Sequence, residues 1–83
     1  MSALTVSGAV AVIDSIGRRC PLPIIDLARA IPSTEVGQVL AVVADDPAAR
    51  HDVPAWCAMR QQGYVGETAA SDGTPAYLVR RLI

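Results

Sequence analysis

A chain of 83 residues is long enough for one domain with a modest core, and we expect residues 1–83 to form it. Apolar residues make up 52% of the sequence and charged residues 18%, a balance that excludes a long disordered chain. The net charge is −1 and the pI is about 5.6. We therefore expect no direct nucleic-acid partner, since proteins that bind DNA or RNA usually carry a basic face.

The sequence also excludes several kinds of site and location. The basic residues are all arginine, so chemistry that needs a lysine, such as Schiff-base formation, is excluded. The longest apolar runs are too short to span a bilayer, and residues 1–12 lack the basic segment of a secretory signal, so we expect a cytoplasmic protein without a membrane partner. With two cysteines that form no CxxC pair and a single histidine, we expect no metal site.

The first third of the chain predicts a strand followed by a helix. Residues 1–8 have the composition of a loose lead-in, and the apolar run 9–14 is typical of a strand. Beyond it, apolar side chains recur at helical spacing between Ile24 and Ile31, which indicates a helix with one face toward a core. We expect Pro32 to end this helix.

The middle of the chain predicts a second strand and a second helix. Residues 38–44 form a valine-rich run typical of a buried strand. Because Pro54 cannot donate a helical hydrogen bond, we expect only a short turn at 47–51 before it. The second helix would then be capped by Asp52 and would end at Gly63.

The last third predicts two strands, over residues 64–70 and 76–83, joined by a turn at 71–74. The resulting element order is β-α-β-α-β-β. With two helices available, the economical α/β arrangement is a two-layer sandwich. We expect a four-stranded mixed sheet with both helices on one face.

The residues around Cys20 are the most informative for chemistry. Pro21 disfavours a helical conformation for the residue before it, and prolines are tolerated in the first turn of a helix. We therefore expect Cys20 to be the extended N-cap of the first helix, with Pro21 and Pro23 in its first turn. The helix dipole, Arg18 and Arg19 would then lower the pKa of the thiol and make it reactive.

The spacing of these residues matches a known pattern. The segment Asp14-x-x-Gly17-x-x-Cys20-Pro21-x-Pro23 resembles the CPxP signature of the TusA/SirA family of sulfur carriers. Two further blocks resemble the family's pattern, Ala44-Asp45-Asp46-Pro47 and Asp52-x-Pro54-x-x-Cys57. Gly63 and the predicted terminal strand fall where that pattern places them, so the resemblance covers the chain from about residue 10 to residue 83.

The resemblance implies a fold of the predicted order and a persulfide on Cys20. It implies a sulfur carrier that accepts sulfur from a donor protein, of the cysteine desulfurase or rhodanese type, and passes it to an acceptor protein. The pathways implied are tRNA thiolation, molybdenum cofactor synthesis or sulfur oxidation. Such a protein is a sulfurtransferase-like intermediate in a relay rather than an autonomous enzyme, and we expect it to need no cofactor.

The residues that would support the persulfide site are those of the motif and its flanks: Gly17, Arg18, Arg19, Pro21 and Pro23. Arg18 departs from the family's pattern, because an apolar residue is common there. We expect the carrier to act as a monomer, since one thiol must be presented to two partners.

Other interpretations of the same residues stay open. Cys57 is expected to face the core, but it could pair with Cys20 in a thiol–disulfide redox module. The fold could also serve as a non-catalytic regulatory adaptor in which Cys20 is incidental. Asp45 and Asp46 are expected to be caps and turn formers, with partner docking as the alternative role.

Overall fold

The computed structural model describes residues 4–83 and contains the predicted succession of elements. The elements are β1 (Ala11–Asp14), α1 (Leu22–Ala30), β2 (Val39–Val43), α2 (Ala49–Arg60), β3 (Gly63–Ala69) and β4 (Pro75–Arg80), with one turn of 3-10 helix at Ile31–Ser33. The β-α-β-α-β-β order is thereby confirmed. No helix among these residues is long and apolar enough to cross a membrane.

The sheet has four strands in the order β1-β2-β4-β3. β1 and β2 are parallel, whereas β2–β4 and β4–β3 are antiparallel, so the sheet is mixed as expected. A parallel pair needs a crossover connection, and α1 with its following turn provides it. The carboxyl ends of β1 and β2 therefore meet at the same edge of the sheet.

Both helices pack on one face of this sheet, which confirms the two-layer arrangement. The main core joins side chains of α1, α2, β2 and β4; its fully buried members include Leu27, Leu40, Val42, Val53, Tyr77 and Val79. Alternate residues of β2 point to opposite faces. Leu40 and Val42 belong to the helical side, and Ala41 and Val43 to the other side.

The second face of the sheet is covered in part by the N-terminal segment. Val6 is only 6% exposed and packs in one cluster with Ala41, Val43 and Ala76. The Thr5 N–H donates to Ser71 Oγ at 3.1 Å, and the Ser71 N–H donates to the Thr5 carbonyl at 3.0 Å. The prediction of a loose lead-in is therefore wrong for Thr5 and Val6, whereas Ser7 and Gly8 form an exposed turn and residues 1–3 lie outside the described part of the chain.

Helix α2 begins earlier than predicted and is not divided at Pro54. It runs unbroken from Ala49, so the predicted separate turn and the re-capping by Asp52 are wrong. Pro54 has no N–H and so removes one hydrogen bond near the helix start. Val53 before the proline and Trp56 and Cys57 after it all lie on one buried face of the helix. Packing of this buried face stabilises the helix by more than the missing hydrogen bond at Pro54 destabilises it, since tertiary packing supplies most of the stability of helices in proteins.

The end of α2 also differs from the prediction. Gln61 adopts the left-handed conformation with φ 60°, and the N–H groups of Gln61 and Gln62 both donate to the Cys57 carbonyl. Gly63, predicted to stop the helix, is instead the first residue of β3. A non-glycine residue adopts this conformation at a modest energetic cost. The left-handed residue that ends the helix is therefore two positions before the glycine predicted for that role.

Candidate functional site

The candidate site lies on the loop that leaves β1 and enters α1. Gly17 has φ +80°, a conformation that glycine adopts without the steric cost of a Cβ. Its N–H donates to Asp45 Oδ1 at 2.9 Å, which ties this loop to the segment that follows β2. The loop then delivers Cys20 to the surface, where it is an exposed free thiol.

Asp46 fixes the backbone at the cysteine itself. The Cys20 N–H donates to Asp46 Oδ2 at 2.7 Å, and the Ala48 N–H donates to Asp46 Oδ1 at 3.0 Å. These two hydrogen bonds lower the pKa of Asp46, since both stabilise its charged form. Asp46 therefore forms a turn just before α2 and holds Cys20 at the same time, whereas the N-cap of α2 is Ala48, so the predicted capping role of Asp46 is wrong.

The start of α1 differs from the prediction at the cysteine. The first helical residue is Leu22, and Pro21 occupies the N-cap position. A turn precedes it, in which the Leu22 N–H donates to the Arg19 carbonyl at 2.7 Å. Cys20 is thus not the N-cap, and the helix begins one residue later than predicted. Pro23 is buried, so it also contributes to packing.

The electrostatic surroundings of Cys20 are also opposite to those expected. The pKa of Cys20 is raised, first by a hydrogen bond with the Asp52 side chain, then by partial removal from water, and then by the charges of Asp52 and Asp46. A carboxylate next to a thiol opposes formation of the thiolate. The prediction of a lowered pKa is therefore wrong, because nearby carboxylates raise the pKa of the thiol and the two arginines do not offset them.

Arg18, which was expected to lower the pKa of the thiol, forms an ion pair with a carboxylate of α1. Its Nε lies 2.7 Å from Asp26 Oδ2, and its Nη2 donates to Asp26 Oδ1 at 3.2 Å. The same carboxylate accepts a hydrogen bond at 2.7 Å from the hydroxyl of Ser15, which is fully buried. This cluster braces the loop against α1. Ser15 and Asp26 were not predicted as site residues, because no motif in the sequence includes them.

A shallow cleft of about 380 Å³ opens beside the cysteine loop. Its lining residues come from both connected loops: Gly17, Arg18, Arg19, Asp45, Asp46 and Pro47. The lining carries both basic and acidic side chains, unlike the mostly apolar lining of a typical cofactor pocket. Five of the predicted site and docking residues thus surround one cleft, and the thiol stands at the exposed end of the loop that forms it.

Cys57 lies in a different environment. It is 1% exposed on the buried face of α2, and burial raises its pKa to about 11. Both cysteines are free thiols, one exposed and one buried. The core-facing interpretation of Cys57 is confirmed, and a redox pairing with Cys20 would require this part of the core to open.

Comparison with known proteins identifies the family of the chain and agrees with its fold. The family described as sulfurtransferase TusA matches residues 11–81. The crystal structure of a SirA-like protein from Desulfitobacterium hafniense is similar with a TM-score of 0.72, covering 88% of this chain and 99% of that chain at 20% sequence identity. That likeness shows a shared fold. Since the family match spans both helices and all four strands of residues 4–83, the chain belongs to the TusA sulfurtransferase family.

Proposed function

We propose that this protein is a sulfur carrier that accepts sulfur as a persulfide on Cys20 from a donor protein and passes it to an acceptor protein. The observation that carries the proposal is the placement of Cys20, an exposed thiol whose backbone is held by Asp46 at 2.7 Å. A thiol that two proteins must reach in turn has to be exposed, and its loop has to keep one geometry. Membership of the family supports sulfur transfer as the chemistry.

The proposed loading step moves one sulfur atom and needs no outside oxidant. After its proton leaves to solvent, the Cys20 sulfur attacks the outer sulfur of the donor's persulfide. A new sulfur–sulfur bond forms at Cys20 while the donor's bond breaks, and the electron pair of that bond goes to the donor cysteine as a thiolate. Delivery repeats the exchange with an acceptor thiolate as the nucleophile and Cys20 as the leaving group.

The proposed partners follow from this exchange. The donor must present a persulfide, as cysteine desulfurases and rhodanese-type proteins do, and the acceptor would serve tRNA thiolation, molybdenum cofactor synthesis or sulfur oxidation. We propose that the protein acts as a monomer in the cytoplasm, where reducing conditions keep Cys20 available as a thiol. The donor, the carrier and the acceptor together then complete each transfer of sulfur, and this protein is the intermediate.

The experiment is intact-mass analysis after incubation with a cysteine desulfurase and free cysteine. A carrier gains the mass of one sulfur atom, and this gain disappears in Cys20→Ser while it remains in Cys57→Ser. A redox module would instead lose two hydrogens on oxidation and would need both cysteines. A regulatory adaptor would show neither change, and either of these outcomes would overturn the proposal.

A further inference from the structure

The outer edge of β1 is a strand edge that no other strand pairs with. β1 lies at the end of the strand order, and residues 4–83 place no strand on its outer side. The Val10 N–H donates to the Val39 carbonyl at 2.8 Å, and in a parallel ladder every second residue turns its backbone groups toward the same neighbour. The N–H and C=O groups of Ala11 and Ile13 therefore point away from the sheet.

A shallow groove of about 440 Å³ runs between this edge and α1. The Ile13 side chain is half-buried and packs against the main core, so the middle of the groove is apolar. Extended peptides bind at such edges by adding a strand, with main-chain hydrogen bonds for affinity and side-chain contacts for specificity. The residues that line the groove are Ile13, Asp14, Arg18, Asp26, Arg29 and Ala30.

The opposite edge of the sheet, formed by β3, is protected against such pairing. Its register with β4 shifts between Tyr64 and Gly66, as a β-bulge requires. Bulges twist an edge strand away from further partners. β1 keeps a regular register over its four residues and contains neither proline nor lysine. β1 is therefore the edge of this sheet that is open to an added strand.

The charges along the groove differ from one end to the other. Asp26 is bound near the carboxyl end of β1, by Arg18 at 2.7 Å and by the Ser15 hydroxyl at 2.7 Å. Arg29 lies about one turn further along α1, toward the start of β1, because the helix of a β-α-β crossover runs back along the strands. Arg29 forms no ion pair with any of residues 4–83. The end of the groove that is farther from the cysteine loop therefore offers a cation without an acidic partner.

We propose that the outer edge of β1 binds an extended segment of the sulfur donor protein as a fifth strand, and that an acidic side chain of this segment pairs with Arg29. Asp14 lines the other end of the groove, so an acidic side chain is favoured only opposite Arg29. The main-chain groups of Ala11 and Ile13 supply the hydrogen bonds that hold the added strand.

The choice of a donor rests on the proposed function. The structure holds Cys20 as a free thiol, which is the state that a donor meets. β1 leads directly into the cysteine loop, and Arg18 lines both this groove and the cleft beside that loop. A donor that is held at the edge of β1 is thereby placed beside the thiol.

The first test titrates the isotope-labelled protein with the peptide acetyl-Thr-Val-Glu-Val-Thr-amide, whose side chains have the same order in both strand directions. The amides of Ala11 and Ile13 should shift in nuclear magnetic resonance spectra and should exchange with solvent several-fold more slowly. The same peptide methylated on every backbone nitrogen cannot donate and should not bind. No shift of these amides at millimolar peptide, or shifts centred on β3, would overturn the proposal. Shifts of the same amides with protein concentration alone would identify a second copy as the occupant and would also overturn it.

The second test isolates the charge of Arg29. Arg60→Gln is the matched control for Arg29→Gln, since both arginines lie in the last turn of a helix and Arg60 is outside the groove. Arg29→Gln should weaken peptide binding about twofold to fivefold, as for an exposed ion pair, and Arg60→Gln should leave it unchanged. A peptide with glutamine in place of glutamate should bind Arg29→Gln and the parent protein equally. Equal weakening in the two variants, or none in Arg29→Gln, would overturn the proposal.

The third test asks whether a donor uses this edge. Saturating peptide should slow the loading of Cys20 by a cysteine desulfurase or by a rhodanese several-fold, but it should leave loading by inorganic polysulfide unchanged, because so small a reagent needs no docking surface. Equal rates with and without peptide for both donors would overturn the assignment to a donor. Failure of both donors to load the protein would contradict the proposed function, whereas the peptide titration would still support or overturn the binding edge by itself.

Discussion

The backbone N–H of Cys20 donates to Asp46 Oδ2 at 2.7 Å, and this contact joins two loops whose residues are 26 positions apart in the chain. The other oxygen of the same carboxylate accepts from Ala48 at the start of α2. One side chain therefore couples the beginnings of both helices. The position of the thiol depends on this carboxylate as much as on the prolines that follow the cysteine.

Replacing Asp46 by alanine should free the Cys20 backbone. The amide of Cys20 loses a charge-assisted acceptor, so its hydrogen exchange should accelerate by about tenfold or more. The rate of sulfur loading by a desulfurase should fall, because the loop no longer holds one geometry. Nuclear magnetic resonance measures the exchange. Asp72→Ala, which removes a similar bond to Thr74 in the turn between β3 and β4, should leave the Cys20 amide unchanged. Unchanged exchange in Asp46→Ala would show that this carboxylate does not hold the Cys20 backbone.

The buried thiol of Cys57 should make folding stability fall at alkaline pH. Its pKa is raised from 9.0 to about 11 by burial. The unfolded chain then loses this proton before the folded chain does, so stability is intact below pH 9 and declines as the pH rises toward 11. Two pKa units correspond to about 2–3 kcal/mol at most. Urea unfolding at a series of pH values measures the decline.

A matched variant isolates the part that belongs to Cys57. Burial also raises the pKa of Tyr64 and Tyr77, and both tyrosines are present in the parent protein and in the variant. Cys57→Ala should be less stable at neutral pH but should show a shallower alkaline decline than the parent protein. Parallel pH curves for the two proteins would show that Cys57 ionises equally in the folded and unfolded chains.

The pair formed by Arg18 and Asp26 should contribute modestly to stability. A double-mutant cycle with Arg18→Met and Asp26→Asn should give a coupling free energy of about 0.5–1 kcal/mol, since the Arg18 side chain is 42% exposed and water screens the pair. Denaturant unfolding of the four proteins supplies the cycle. Additive single-mutant effects would show that the 2.7 Å contact does not brace the loop.

The N-terminal segment should stabilise the fold through Val6. Val6→Ala should lower the free energy of unfolding by about 1–2 kcal/mol, because two buried methyl groups are removed from the second face of the sheet. Val10→Ala provides the control, since Val10 is 64% exposed and its loss should change stability by less than about 0.5 kcal/mol. Equal effects of the two substitutions on chemical denaturation would place Val6 at the surface.

Much of the fold was predictable because the chain's local patterns agree with its packing. The valine-rich run around β2 indicates a strand buried on both faces, and β2 does lie inside the sheet between β1 and β4. The strand order itself has no local signal, since it depends on which strands pair across long connections. The burial of Val6 also had no local signal, because a single valine among small polar residues is found both in packed segments and in loose ones.

The prediction of an exposed Cys20 and a buried Cys57 is confirmed, but the expected electrostatics around Cys20 are not found. The position of Asp45 and Asp46 beside the cysteine loop had no signal in the sequence, since the contacts join residues 28 and 26 positions apart.

Asp52 and Asp26 lie 32 and 6 positions from Cys20 along the chain. The residues that flank them in sequence therefore do not indicate which charged groups lie near them in the fold. Arg18 pairs with Asp26, and the carboxylates of Asp52 and Asp46 raise the pKa of Cys20, which is the opposite of the expected shift.

The most direct test of the central claim follows radioactive sulfur from cysteine to a single residue. The protein is incubated with a cysteine desulfurase and cysteine labelled in its sulfur, then digested without reductant and mapped. The label should appear on the peptide that contains Cys20, should be released by a thiol reductant, and should be absent in Cys20→Ser and retained in Cys57→Ser. Label on the Cys57 peptide, or equal labelling of Cys20→Ser and the parent protein, would contradict the claim.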